Sequence, residues 1–343
     1  MKGDLPMHPE EVTTKLFQVL PKRTKDVLDQ RFGLGKSSKR MTLDAIGKKY
    51  GITRERVRQI ESDGLSRIRK SPAMDEMRPV FAALEKYFGD NGGVIKEAIA
   101  LENLAPHPKH ANHVYFLLAL HNNFMRFHEN DNLHDRWSLG KESEEKADKV
   151  LRNAVDALRK VGDPVQEKQL YEIMSSSAQN VLGSAVTGAP LTNWLALSKL
   201  ISKNYFGEWG LTESSSIKPR GMKDLSHMVL TKKGEPMHFS EVAAGIGKLI
   251  GRSVHVQTVH NELIKDPRFV LVGRGLYALK DWGYEPGVVR EVISNMLKGG
   301  ALSKEQIIET VSAKRFVKSN TILINLENKK HFKKLPDGRY SLR

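Results

Sequence analysis

The stretch Thr42–Glu61, TLDAIGKKYGITRERVRQIE, decides the fold of the N-terminal block. Its apolar spacing predicts one helix from about Thr42 to Tyr50, a break at Gly51, and a longer helix from Arg54 to about Lys70, with Thr53 available to cap it. At about 100° per residue, Val57, Ile60, Gly64 and Ile68 share one arc of the longer helix and face inward. Arg54, Glu55, Arg58 and Gln59 share the roughly opposite arc. Two helices joined by a glycine turn, the second with a polar outer face, make a helix-turn-helix. Those outward side chains have the chemistry of base readout. Arginine offers paired donors to guanine, glutamate accepts from cytosine, and glutamine can pair with adenine. Taken alone, the same face equally fits a solvated surface laced by charge pairs one turn apart.

Working outward, the flanks are also helical. Val12, Leu16, Val19 and Leu20 space a helix from about Glu10 to Leu20, which Pro21 ends. Val27, Leu28 and Phe32 mark a second, starting near Thr24 and stopping at Gly33. Gly35–Arg40 reads as a polar loop, and Ser71-Pro72 closes the block.

Three strings resemble domain 4 of primary bacterial sigma factors: LPKRTKDVLDQRFGL from Leu20, TLDAIGKKYGITRERVRQIE from Thr42 and LSRIR from Leu65. The likeness covers about residues 10–71. It implies that the first string is region 4.1, which sits on the flap of the RNA polymerase β subunit. It also implies that the second contains region 4.2, which reads the −35 promoter element. Base contact then falls to Arg54, Glu55, Arg58 and Gln59, and backbone contact to Thr42, Thr53, Arg56 and Arg69. The chain departs from the family at Asp63 and Gly64, where a lysine and an alanine are usual. Asp63 sets a negative charge near the DNA backbone, and Gly64 weakens the helix by up to about 1 kcal/mol. No string resembles sigma regions 2 or 3.

The remainder holds a degenerate repeat: RWSL, EWGL, LYAL and RYSL end at Leu139, Leu211, Leu279 and Leu342. Their aromatics, Trp137, Trp209, Tyr277 and Tyr340, lie 72, 68 and 63 residues apart. In the third copy two helices, starting at Glu241 and His255, precede a strand Arg268–Val272, a Gly273-Arg274-Gly275 turn and a return strand Leu276–Leu279. Helices followed by a hairpin make a winged helix, with the repeated aromatic and leucine sealing its core. PMHFSEVAAGIGKLIG and DPRFVLVGRGLYALKDWGY, within 224–284, resemble the HARE-HTH domain of the polymerase delta subunit. That likeness implies a DNA- or polymerase-associated module.

Charge is unevenly distributed. Residues 1–72 carry 17 Lys/Arg against 9 Asp/Glu, 73–220 carry 17 against 19, and 221–343 carry 21 against 12. Two basic ends flank a slightly acidic middle, which favours a polyanionic partner for the ends. Arg274 at the third wing tip, and Lys333 and Lys334 in the fourth hairpin, are the further candidates for DNA-backbone contact. Glu129, Asp131 and Asp135 in the first wing would repel phosphate. With no cysteine, disulfides, cysteine-bound zinc and thiol catalysis are excluded. The longest apolar run, Val114–Leu120, is too short for a bilayer, and the N-terminal residues lack an apolar signal core. Gly33–Ser38 resembles the end of a P-loop but follows a helix and lacks the first glycine, so no nucleotide is expected. His110 and His113 lie one helical turn apart without a carboxylate at companion spacing, so they read as solvated or phosphate-facing rather than metal ligands.

The sequence therefore predicts a mainly α protein without enzymatic activity, cofactor or metal. A sigma-region-4 helix-turn-helix at 1–72 precedes four tandem winged helices at 73–141, 142–219, 220–284 and 285–343. The expected function is an RNA polymerase-associated transcription factor that binds duplex DNA at a −35-like element. It would be a cytoplasmic, nucleoid-associated bacterial protein with no membrane contact. Two alternatives stand beside it: an accessory polymerase subunit holding the β flap without reading bases, and a DNA-modification or defence-associated binding module.

Overall fold

The computed structural model describes residues 3–35, 38–284, 288–314 and 317–343. Lys36 and Ser37 of the expected polar loop lie outside the described residues, as does the start of the last expected module at 285–287. The chain divides into two compact units. One runs through Ser202 and includes Trp209–Thr212; the other comprises Lys203–Glu208 and Glu213–Arg343.

The first unit begins with four helices: α1 (Pro9–Leu16), extended by a 3₁₀ turn Phe17–Val19, α2 (Lys22–Phe32), α3 (Leu43–Tyr50) and α4 (Arg54–Arg69). Pro21 has an extended backbone and precedes α2 directly, so that helix starts two residues before the expected Thr24. Gly33 and Gly51 end α2 and α3 in the left-handed conformation, φ 64° and 65°, which glycine adopts without strain. Pro72 opens the next helix, α5 (Pro72–Glu76), as its first residue, where its missing N–H costs nothing. It therefore starts an element where the sequence reading placed an end.

Then comes α6 (Arg78–Asp90), β1 (Val94–Lys96), α7 (Glu97–Leu104), α8 (Ala111–Leu120), β2 (Phe124–Phe127) and β3 (Arg136–Leu139). The strands form an antiparallel sheet in the order β1-β3-β2. This repeat shares one core with the helices before it. Phe116 of α8 meets Phe17 and Phe32 edge-on, with ring centroids 5.3 and 5.2 Å apart. Leu16, Leu28, Ile68, Leu84, Phe88, Leu117 and Trp137 belong to the same buried cluster. The helix-turn-helix keeps only a small core of its own, centred on Val27, Ile46 and Val57. At 1–72 and 73–141 the chain thus has two stretches of sequence around one hydrophobic interior.

The second repeat packs α9 (Gly140–Val161) on α10 (Glu167–Leu182) and α11 (Ala189–Leu197), followed by β4 (Ile201–Lys203) and β5 (Trp209–Leu211). Its first strand has shrunk to one bridge, Val165 to Trp209. The β4–β5 turn is tight, with Asn204 Oδ1 accepting the N–H groups of Phe206 and Glu208.

In the second unit, α12 (Met222–Lys233), β6 (Met237–His238), α13 (Phe239–Ile250), α14 (Val256–Lys265), β7 (Phe269–Gly273) and β8 (Leu276–Leu279) form the third repeat, with strand order β6-β8-β7. The fourth has α15 (Val289–Leu297), α16 (Lys304–Lys314), α17 (Ser319–Leu326), β9 (Phe332–Lys334) and β10 (Tyr340–Leu342), and its first strand is again one bridge, Leu302 to Tyr340. Among the described residues, helix, short strand or bridge, two helices and a hairpin therefore recur in that order four times. The repeated aromatics differ in burial: Trp137 and Tyr277 are buried, whereas Trp209 and Tyr340 are half-buried.

Candidate nucleic-acid interface

The two helix starts of the helix-turn-helix are built alike. Thr42 Oγ1 accepts the Ala45 N–H at 3.2 Å, and Thr53 Oγ1 accepts the Arg56 N–H at 3.1 Å. Each cap satisfies one orphan donor and leaves the hydroxyl hydrogen able to donate outward. Gly47 lets the turn close, because a Cβ there would stand 2.6 Å from the Ile52 carbonyl oxygen. Val57, Gly64 and Ile68 are buried along one side of α4, with Ile60 half-buried. The inward face is the one that the helical spacing assigned.

Arg54, Glu55, Arg58 and Gln59 are all exposed on the first two turns of α4. The Arg58 guanidinium grips Glu55 with both Nε and Nη2, at 2.9 and 2.6 Å. That contact holds the Glu55 carboxyl below the ordinary carboxylate range, so it is ionised at neutral pH. Arg56 Nη1 donates to Gln59 Oε1 at 3.1 Å. The Arg54 side chain makes no hydrogen bond or ion pair among the described residues. Thr42, Thr53, Arg54, Glu55, Arg56, Arg58 and Gln59 thus sit together on one local element. A shallow cleft beside them is lined by Lys48, Gly51, Thr53 and Arg56.

Arg69 is placed differently. Its Nε donates to the Leu120 carbonyl at 2.6 Å and its Nη2 to that of Ala119 at 3.3 Å. Its guanidinium thereby caps the C-terminal carbonyls of α8, and burial lowers its pKa. Arg274, Lys333 and Lys334 lie in the second unit and are exposed. Gly275 follows Arg274 at φ 69°, and a Cβ there would meet the His238 ring at 2.5 Å, so this turn requires glycine. Lys333 and Lys334 stand on β9 opposite Ser341 and Tyr340.

The first wing is occupied within its own unit. Asp135 accepts from Arg126 and from the Glu129 N–H, and Glu129 pairs with Lys199 at 2.9 Å. Leu133 at its tip is buried and bridges to Ser198. Glu129 and Asp135 therefore have internal partners that sequence spacing did not reveal, whereas Asp131 is exposed.

Two further contacts escaped the sequence reading. Arg40 lies over the Tyr115 ring at 3.7 Å and donates to Asn112 Oδ1, while Asn112 Nδ2 donates to the carbonyls of Gly33 and Ser38. These bonds pin the α2–α3 connection to α8. His110 and His113 are both buried, each 7% exposed, because they face α1 from the start of α8. The expectation of solvated histidines is corrected by that packing. Glu10, a hundred residues earlier, supplies the carboxylate that local spacing lacked, 3.3 Å from His110 Nε2.

Residues 16–70 match the family model described as Sigma-70, region 4. The chain is 37% identical over 68 residues to RNA polymerase sigma factor RpoD of Neisseria gonorrhoeae, and 42% identical over 69 residues to that of Helicobacter pylori. Each alignment covers 20% of this chain and 10% of the relative. The N-terminal segment is thus a sigma region 4 domain, a DNA-binding helix-turn-helix of sigma factors, and the chain spans about a tenth of the length of these relatives. Among the described residues, no helix is long and apolar enough to cross a membrane.

Proposed function

We propose that this chain is a non-enzymatic transcription factor that works in the bacterial cytoplasm with core RNA polymerase. It recognises a −35-like duplex through the N-terminal half of α4. One observation carries this reading: Arg54, Glu55, Arg58 and Gln59 stand exposed in one arc at the capped start of the second helix of the helix-turn-helix in a sigma region 4 domain. Their mutual pairs are solvent-exposed, and such pairs contribute little. A guanine edge, which offers Arg58 two acceptors in a drier setting, can replace Glu55. Glu55 is then released toward a cytosine amine. Thr42, Thr53 and Arg56 flank this arc and fit the phosphates on either side, where helix N-termini favour anions. Arg69, held on α8, stays outside this set. Arg274, Lys333 and Lys334 add backbone contacts without base preference.

The β flap is the proposed site on the polymerase, but only one side of the first string is available to it. Leu28 and Phe32 are buried beneath α8, whereas Lys22, Arg23 and Lys25 are exposed. The contact proposed is therefore polar.

The test is binding of the full chain to a −35-like duplex and to its scrambled counterpart at fixed salt. Arg58→Ala should lose roughly five- to a hundred-fold on the −35-like duplex and little on the scrambled one. Equal affinities for both duplexes in the wild type would overturn base readout and leave flap docking alone.

A further inference from the structure

The start of α8 carries a cluster that DNA binding does not use. His8 caps α1, Glu10 lies in its first turn, and His110 ends the 3₁₀ turn Pro108–His110 that leads into α8. One ligand atom from each of the three lies within 4.8 Å of the others. The His8 and His110 rings meet edge-on with centroids 4.3 Å apart, and Glu10 Oε2 is 3.3 Å from His110 Nε2. His110 is 7% exposed and its Nδ1 is buried without a hydrogen-bond partner. His113, one turn further on, has the same burial and the same orphaned Nδ1.

We propose that His8, Glu10 and His110 bind a divalent cation of the zinc class, clamping α1 of the helix-turn-helix block to α8. Two imidazoles and one carboxylate make a nitrogen-rich set that suits zinc and its neighbours, whereas magnesium and calcium take oxygen cages. Tetrahedral zinc with bonds of about 2.1 Å holds its ligands about 3.4 Å apart, within a small side-chain rotation of the observed spread. Solvent supplies the fourth position from the Glu10 side, where that side chain is 57% exposed. The His107 ring, 6.1 Å from that of His110, is committed through Nδ1 to the Lys109 N–H and stays at the edge of the set.

The experiment is calorimetric titration of the untagged full chain with zinc chloride, and separately with magnesium chloride, at pH 7.5, paired with thermal unfolding. One zinc per chain should bind, magnesium should not, and zinc should raise the unfolding midpoint. His8→Ala and Glu10→Gln should each weaken zinc binding about ten-fold or more. Both side chains reach solvent, so these variants should keep the wild-type circular dichroism. His128→Ala, outside the cluster with a side chain 82% exposed, should behave as wild type. Absence of zinc binding overturns the proposal. Zinc binding that survives both His8→Ala and Glu10→Gln within about three-fold also overturns it, because surface histidines would then be the ligands.

Discussion

Phe116→Ala tests whether the helix-turn-helix and the first repeat fold as one body. Phe116 is fully buried on α8, yet its nearest aromatic partners, Phe17 and Phe32, belong to the helix-turn-helix block. Deleting a buried ring removes its transfer energy and leaves a cavity, together about 3–5 kcal/mol. A typical domain has only about 5–15 kcal/mol in hand. The cavity opens between the two stretches, so neither side alone bears the loss. Hydrogen exchange of the full chain, read by mass spectrometry on peptides from α2, α4, α6 and α8, should show the most protected amides of all four losing protection together, by roughly 10²- to 10⁴-fold. Ile322→Ala, equally buried in the fourth repeat, should leave those peptides unchanged. If α6 and α8 lose protection while α2 and α4 keep theirs, the shared core is a contact between independent domains and the reasoning fails.

Three other perturbations follow from particular contacts. Gly64→Ala should lower the unfolding midpoint despite alanine's better helix propensity, because the new Cβ would stand 2.7 Å from the Thr24 methyl and 3.0 Å from Leu28. Adding Thr24→Ser, which removes that methyl, should recover part of the loss; a stabilised single variant would show that the helices separate freely. Burial lowers the pKa of His121, which stacks on Phe81 at 4.8 Å with Glu85 and Arg69 as its charged neighbours. The unfolded chain takes up protons near the ordinary histidine value of 6.5 and the folded ring resists them, so its contribution is complete above that pH and is lost as pH falls toward the depressed value. Wild type should therefore lose more thermal stability between pH 7.5 and 5.5 than His121→Gln, and an equal loss would remove His121 from the account. Finally, replacing Lys333 and Lys334 together by alanine should reduce the salt slope on random duplex DNA by up to about 2, and an unchanged slope means that they face solvent only.

The sequence was most legible where a residue's task is local. Thr42, Gly51 and Thr53 act within four residues of themselves, and the arc of Arg54, Glu55, Arg58 and Gln59 follows from helix geometry alone. Three of the four hairpins were also readable, because an alternating strand and its turn are neighbours in the chain; the second, turning through Asn204–Gly207, left little alternation to read. What could not be read depends on partners far away. Asn112 reaches Gly33, and Glu10 reaches His110, each across more than seventy residues. Arg69 shows the same limit from the other side. Its position in LSRIR resembles a phosphate contact, but its surroundings are set by α8, which that string does not contain.

α8 also explains how the sigma region 4 segment is braced within this chain. A segment of about seventy residues seldom buries enough surface to be firmly stable alone, and this one keeps only a small interior around Val27, Ile46 and Val57. Its larger apolar face, carrying Leu16, Leu28, Phe32 and Ile68, needs a cover. α8 provides it from within the chain, with Phe116 and Leu117 as the apolar filling, Arg40 and Asn112 fixing the loop, and Arg69 returning a cap to the end of α8. The outer arc of α4 takes no part in this packing. The bracing therefore costs nothing at the arc proposed to read bases, and a substitution such as Arg58→Ala leaves untouched the core that holds the helix.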